Sequence, residues 1–172
     1  VAGFPSYTYS HPQRFTAFLL SNFLGGGMSS SLFQEIREKR GLAYSVYSSL
    51  SPFSDTGLFS IYAATSPQEV EVCMQLMGRE IAKLKANPLD DKTVEILKEN
   101  LKGAILLNSD SVESRMTSIA KGEMFFKKYF SMKDVCKLID HVRASDIHKI
   151  ANECFTSKNL ILVVLGSKAR PG

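Results

Sequence analysis

Apolar positions run first at helical spacing, then in alternation, then at helical spacing again. Phe15, Phe18, Leu19 and Phe23 predict an amphipathic helix over about 12–24, with Pro12 in its first turn and Ser10 or His11 as cap. The run Gly25-Gly26-Gly27 stops it, and a flexible helix-to-helix corner is expected there. A second helix is predicted over about 29–39. Ser31 and Gln34 have capping-box spacing, Leu32, Phe33 and Ile36 form its apolar face, and Gly41 is suited to a left-handed end. Glu35 and Lys39 stand four residues apart in the favourable order.

Alternation then takes over. Leu42, Tyr44 and Val46 predict one face of a strand over about 42–50, and Phe59, Ile61 and Ala63 one face of a strand over about 57–65. The turn-rich stretch Ser-Pro-Phe-Ser-Asp-Thr between them makes an antiparallel hairpin. Helical spacing returns with Val70, Cys73, Met74, Met77, Ile81 and Leu84, a helix opened by Ser66-Pro67 and closed by Asn87-Pro88. Asp90 opens another with Val94, Leu97, Leu101 and Ile105. A third starts near Ser111, and two short ones follow over about 133–141 and 146–155, the last capped by Ser145 or Asp146. Leu160 to Leu165 reads as a buried strand and Ser167 to Gly172 as a polar tail. Residues 5–11 read as a connecting loop. Val1 to Phe4 reads as the end of a strand whose beginning is missing, so the expectation is a domain taken from a longer protein. The fold class is α+β, a mainly antiparallel sheet covered by helices, in one domain over 1–172.

Composition changes this picture little. The 172 residues are 44% hydrophobic and 22% charged, which excludes a disordered tail, a collagen-like repeat and a coiled coil. A net charge of +4 is too mild to argue for nucleic acid. The six-residue run Leu160 to Leu165 is too short to cross a membrane. Cys73, Cys136 and Cys154 form no CxxC pair and are expected to be buried reduced thiols, which fits a reducing compartment without fixing one.

Chemistry complete within the chain is not visible. His11, His141 and His148 lie in no zinc-ligand spacing, and solvent-exposed or capping roles are expected for them; there is no GxSxG. The glycine run precedes Met28-Ser29-Ser30 rather than the lysine and hydroxyl of a phosphate loop. Anion binding at the following helix start stays open as a minor alternative.

The densest signal is Leu24 to Ser49, LGGGMSSSLFQEIREKRGLAYSVYSS. Through its glycine corner, Met-Ser-Ser helix start, Phe-Gln-Glu-Ile-Arg-Glu and Arg-Gly-Leu-Ala-Tyr-Ser-Val-Tyr, the sequence resembles the C-terminal, non-zinc domain of insulinase-type metallopeptidases, the group of pitrilysin and the mitochondrial processing peptidase. Ser31 departs from the arginine that many relatives carry. The resemblance implies a two-half enzyme. Zinc, the only cofactor implied, belongs to a partner N-terminal half through HxxEH, and this half, with no metal ligands or cofactor of its own, faces it across a chamber. It also implies an arginine, six residues and then a tyrosine that bind peptide substrate; Arg37 and Tyr44 match in the Gly-Leu-Ala-Tyr register. Arg40 and Tyr47 share the spacing but not the register. Alone, the chain is expected to be inactive. A guanidinium and a phenol are donors suited to a peptide carbonyl and to the oxyanion it becomes; the structural alternative pairs Arg37 with a glutamate and half-buries Tyr44. A non-catalytic scaffold of the same fold, as in the core proteins of the cytochrome bc1 complex, is the competing expectation.

Overall fold

The computed structural model describes residues 1–166, so the tail from Ser167 lies outside the described residues. Four strands form one antiparallel sheet in the order β2-β3-β1-β4: β1 (Ala2–Ser6), β2 (Ala43–Pro52), β3 (Gly57–Thr65) and β4 (Ile161–Leu162). The hairpin β2–β3 is the backbone of the sheet, with Val46 opposite Ala63, Ser48 opposite Ile61 and Leu50 opposite Phe59 on the covered face. Tyr47 and Tyr62, and Ser49 and Ser60, face each other on the other side, where the two tyrosine rings stack 5.0 Å apart.

Helices α1 (Arg14–Gly25), α2 (Val70–Ala86) and α6 (Ala144–Cys154) cover one face of the sheet. Leu19, Leu20, Leu24, Phe59, Ile61, Ile147 and Ile150 are fully buried between the layers, and Phe155 stands edge-on to both Phe4 and Phe59. The apolar stripe read for α2 is the face it buries, with Cys73, Met77 and Leu84 innermost. Helices α3 (Asp91–Ser109), α4 (Val112–Phe126) and α5 (Met132–Asp140) extend the helical layer, capped by the side chains of Asp90, Ser111 and Ser131. Of α4 only Gly122 is buried, where its backbone meets Lys128. Helix α4 is pinned to α1 by Arg14, whose guanidinium lies 4.6 Å from the rings of both Phe15 and Phe126. No helix among the described residues is long and apolar enough to cross a membrane.

Several local expectations are corrected. Helix α1 starts at Arg14, and Gln13, not Ser10 or His11, is its cap residue; the His11 ring accepts from the Gln13 N–H instead. Helix α6 starts at Ala144 behind Arg143, whose N–H donates to the Asp146 carboxylate 2.9 Å away, so Asp146 caps from inside the helix. Leu160 to Leu165 is not a buried strand. Ile161 and Leu162 pair with β1 at the sheet edge, Val163 exchanges two backbone bonds with Val1, and the run is exposed throughout because nothing lies beyond that edge among the described residues. An apolar run reports affinity for burial, not whether a neighbour is present. Cys73 and Cys154 are buried, but Cys136 is only half-buried on α5.

The glycine corner is tight rather than flexible. A Cβ on Gly25 would sit 2.1 Å from the Ser48 backbone nitrogen, because the end of α1 presses against β2. The Ser48 hydroxyl donates to the Ser21 carbonyl at 2.6 Å across the same contact. Gly27 has open space around its Cβ position. Gly25→Ala is therefore expected to destabilise the protein by about 1–3 kcal/mol through overpacking, while Gly27→Ala stays within about 0.5 kcal/mol. Urea midpoints of the two variants check this, and equal midpoints would remove the close-approach argument.

Candidate functional site

The second predicted helix is wider than an α-helix. Residues Phe33–Glu38 form a π-helix, and the Lys39 N–H donates to the Gln34 carbonyl five residues back. Such wide turns shift the side chains that follow and often accompany functional positions. Ser31 does not form the predicted capping box with Gln34. Its hydroxyl donates to the Glu80 carboxylate of α2, while the Gln34 amide donates to the Met28 carbonyl at 2.7 Å.

The π-helix closes on Gly41, which takes φ 62°, the left-handed conformation anticipated for it. Gly41 N–H donates to the Arg37 carbonyl at 2.9 Å and Leu42 N–H to the Ile36 carbonyl at 3.0 Å. The Leu42 carbonyl accepts from the Thr65 hydroxyl at 2.5 Å, which ties the reversal to the end of β3.

Strand β2 then begins with a bulge. Ala43 pairs with Thr65 and Ser45 with Ala64, leaving Tyr44 as the extra residue. The predicted face Leu42, Tyr44, Val46 is therefore wrong. Val46 is buried, whereas Tyr44 is 85% exposed, because an extra residue breaks the two-residue alternation and re-aims its side chain.

Arg37 and Tyr44 come together at this reversal. The Arg37 guanidinium carbon lies 5.8 Å from the Tyr44 ring centroid and 5.0 Å from that of Phe33. Arg37 is exposed and makes no ion pair among the described residues. The alternative in which a glutamate neutralises Arg37 and Tyr44 is half-buried does not describe this geometry. The second pair of the same spacing is separated: Arg40 Nη1 is held by the Glu35 carboxylate and carbonyl, each at 2.6 Å, and Tyr47 stacks on Tyr62. Glu35 also takes Lys39.

The histidines are occupied elsewhere. His11 stacks on Tyr7 at 4.1 Å, His141 bonds the Lys137 carbonyl and His148 the Lys85 carbonyl. Tyr7 donates to the Glu153 carboxylate at 2.6 Å, and burial with that bond raises its pKa. Among the described residues no group of three or more His, Cys, Asp and Glu side chains is arranged to hold a metal ion, so these residues do not fit a zinc site.

Sequence reasoning missed the bulge and the wide turn. Both change register by one residue without any glycine or proline to mark them.

Comparison with known proteins gives three kinds of match. The family described as Peptidase M16 inactive domain matches residues 1–101, which include the whole Leu24 to Ser49 stretch. The zinc protease YmxG of Bacillus subtilis (strain 168) is 31% identical over 169 residues, 98% of this chain and 41% of that protein. The chain thus spans 36–41% of the lengths of the first curated relatives it matches. Among solved structures, a protease from Helicobacter pylori is similar with TM-score 0.83 and 22% identity, over 92% of this chain and 38% of that one. A chain of complex III2 from Candida albicans is similar with TM-score 0.82 and 16% identity, over 93% and 40%. At those identities the likeness is one of fold.

Hydrogen bonds from Lys39, and then from Arg40, hold the Glu35 carboxyl down to about 2, against an ordinary value of 4.5. A depressed folded-state value gives stability that is full above about pH 4.5 and lost as pH falls towards about 2. The urea-midpoint difference between the protein and its Glu35→Gln variant is expected to be constant above pH 5 and to shrink below pH 4. A difference independent of pH would show that Glu35 is not held in this way.

Proposed function

The chain belongs to the peptidase M16 family, as its inactive domain, and from that premise we propose that it is the substrate-holding half of a two-half zinc metalloendopeptidase. The observation that carries the reading is the exposed Arg37–Tyr44 pair, free of any carboxylate among the described residues, at the point where β2 enters the sheet. Activation of water belongs to the zinc-bearing half, whether part of the same polypeptide or a separate subunit. This half contributes donors. The Arg37 guanidinium lies over the rings of Phe33 and Tyr44, contacts that consume none of its N–H donors. The Tyr44 hydroxyl is a second donor beside it. Both suit the carbonyl oxygen of an extended or unfolded peptide and the negative charge that develops on it during attack.

The scaffold reading draws support from the fold likeness to the complex III2 chain alone. A scaffold has no need of an exposed, unneutralised arginine beside a phenol, and the peptidase reading is preferred on that ground. An HxxEH motif in the partner half separates the two.

With the zinc-bearing half present and an internally quenched peptide as substrate, Arg37→Ala and Tyr44→Phe are each expected to lower kcat/KM by about 100- to 1,000-fold, the usual cost of removing an oxyanion donor. Arg40→Ala, which removes only a partner of Glu35, is expected to change it less than about threefold. Unchanged rates in Arg37→Ala and Tyr44→Phe would overturn the assigned roles.

A further inference from the structure

A cavity of about 390 Å3 opens between the end of α3, the first turns of α4 and the start of α5, and shares no residue with the bend that carries Arg37 and Tyr44. Ile105, Phe130, Met132 and Val135 are half-buried and give it apolar walls. Ser114, Arg115 and Ser118 line it from α4, where spacings of three and four residues set them on one face of the helix. Arg115 is the only charged group on the lining. It is exposed and makes no ion pair among the described residues. Small-ligand sites combine apolar walls with a few convergent polar groups in this way, at volumes of about 300–1,000 Å3. Helix α4 buries only Gly122, so whatever fills the gap beside it adds packing that the helix otherwise lacks.

We propose that this cavity binds a small aliphatic carboxylate, its head paired with Arg115 and its chain against the apolar walls. One positive charge and no negative one on the lining select a ligand with a single negative charge. A guanidinium meets a carboxylate through two parallel N–H donors, and the Ser114 and Ser118 hydroxyls stand on the same helix face as further donors. Withdrawal of the ligand's methylenes from water against Ile105, Phe130, Met132 and Val135 supplies the remaining affinity. A short polar anion uses the head site alone and leaves those walls wet. A cationic amphiphile meets Arg115 and is rejected, so charge repulsion contributes to selectivity. Neither Arg37 nor Tyr44 takes part.

The test uses the full chain, with octanoate, octanol, butyrate and octylamine as probes in titration calorimetry. Octanoate is expected to bind at one site per chain, about 10-fold more tightly than octanol, the low end for a hydrogen bond to a charged group at an exposed position. Butyrate and octylamine are expected to bind more weakly than octanoate. Arg115→Gln is expected to bring octanoate down to the affinity of octanol and to leave octanol unchanged. Ser118→Trp, which fills the cavity from an exposed position of α4, is expected to abolish binding of both. Urea midpoints close to that of the unsubstituted protein show that each variant is folded. Hydrogen exchange of the α4 amides is expected to slow when octanoate is present, because the ligand joins α4 to α3 and α5. Absence of octanoate binding overturns the inference. So does equal affinity for octanol, an octanoate affinity that survives Arg115→Gln, or binding that survives Ser118→Trp.

Discussion

The reversal at Gly41 is the constraint on which the candidate site depends. Two backbone bonds, from Gly41 N–H to the Arg37 carbonyl and from Leu42 N–H to the Ile36 carbonyl, carry the chain from the end of the π-helix to the start of β2 in four residues. Nothing stands within 4 Å of a Cβ at Gly41, so only the backbone conformation at φ 62° asks for glycine. A β-carbon in that region costs roughly 1–2 kcal/mol. The same reversal sets Ile36, fully buried, against the core and leaves its neighbour Arg37 on the outside. The bulge then turns Tyr44 out on the other side of the bend. Helix end, strand register and side-chain direction are one arrangement, and none can shift without moving the others.

Charge around this bend is unevenly distributed. Arg37, Lys39 and Arg40 lie within four residues, and Glu35 is the carboxylate within reach of two of them. It takes Lys39 and Arg40, which follow it around the turn, and leaves Arg37 to the aromatic rings. Stacking restrains a guanidinium without consuming its N–H donors, whereas an ion pair consumes them. On the peptide-holding reading proposed above, an arginine held in this way is pre-positioned for an acceptor that arrives with substrate. Glu35 thus occupies both of the other cations of the bend.

Most of the helical layer was legible because it follows from periodicity and punctuation. The α2 stripe, the Asp90 and Ser111 caps and the left-handed Gly41 each have a local cause within a few residues. The proximity of Arg37 and Tyr44 was legible for the same reason, since a helix end, one glycine and a strand start fix it. What failed was non-local. The exposure of Leu160 to Leu165 depends on which strand has a neighbour, and the closeness of Gly25 to Ser48 depends on how α1 lies on β2. The face assigned to Tyr44 failed because the bulge is set by pairing with β3, which alternation along one strand does not report.

The division of the molecule into a dense part and a loose part bears on how such donors can work. Donors that stabilise a developing charge are effective only when held to within about half an ångström of the productive geometry. The bend that carries Arg37 and Tyr44 is anchored through Ile36, Ala43 and Val46 to the fully packed layer of α1 and the β2–β3 hairpin. Helix α4 and the last turn of α3, by contrast, leave Leu106, Val112, Met116 and Ile119 exposed, and α4 is held by the Arg14 guanidinium at the Phe126 ring. The packed layer beneath the bend therefore meets the demand for a fixed donor geometry, and the exposed face of α4 has no part in it.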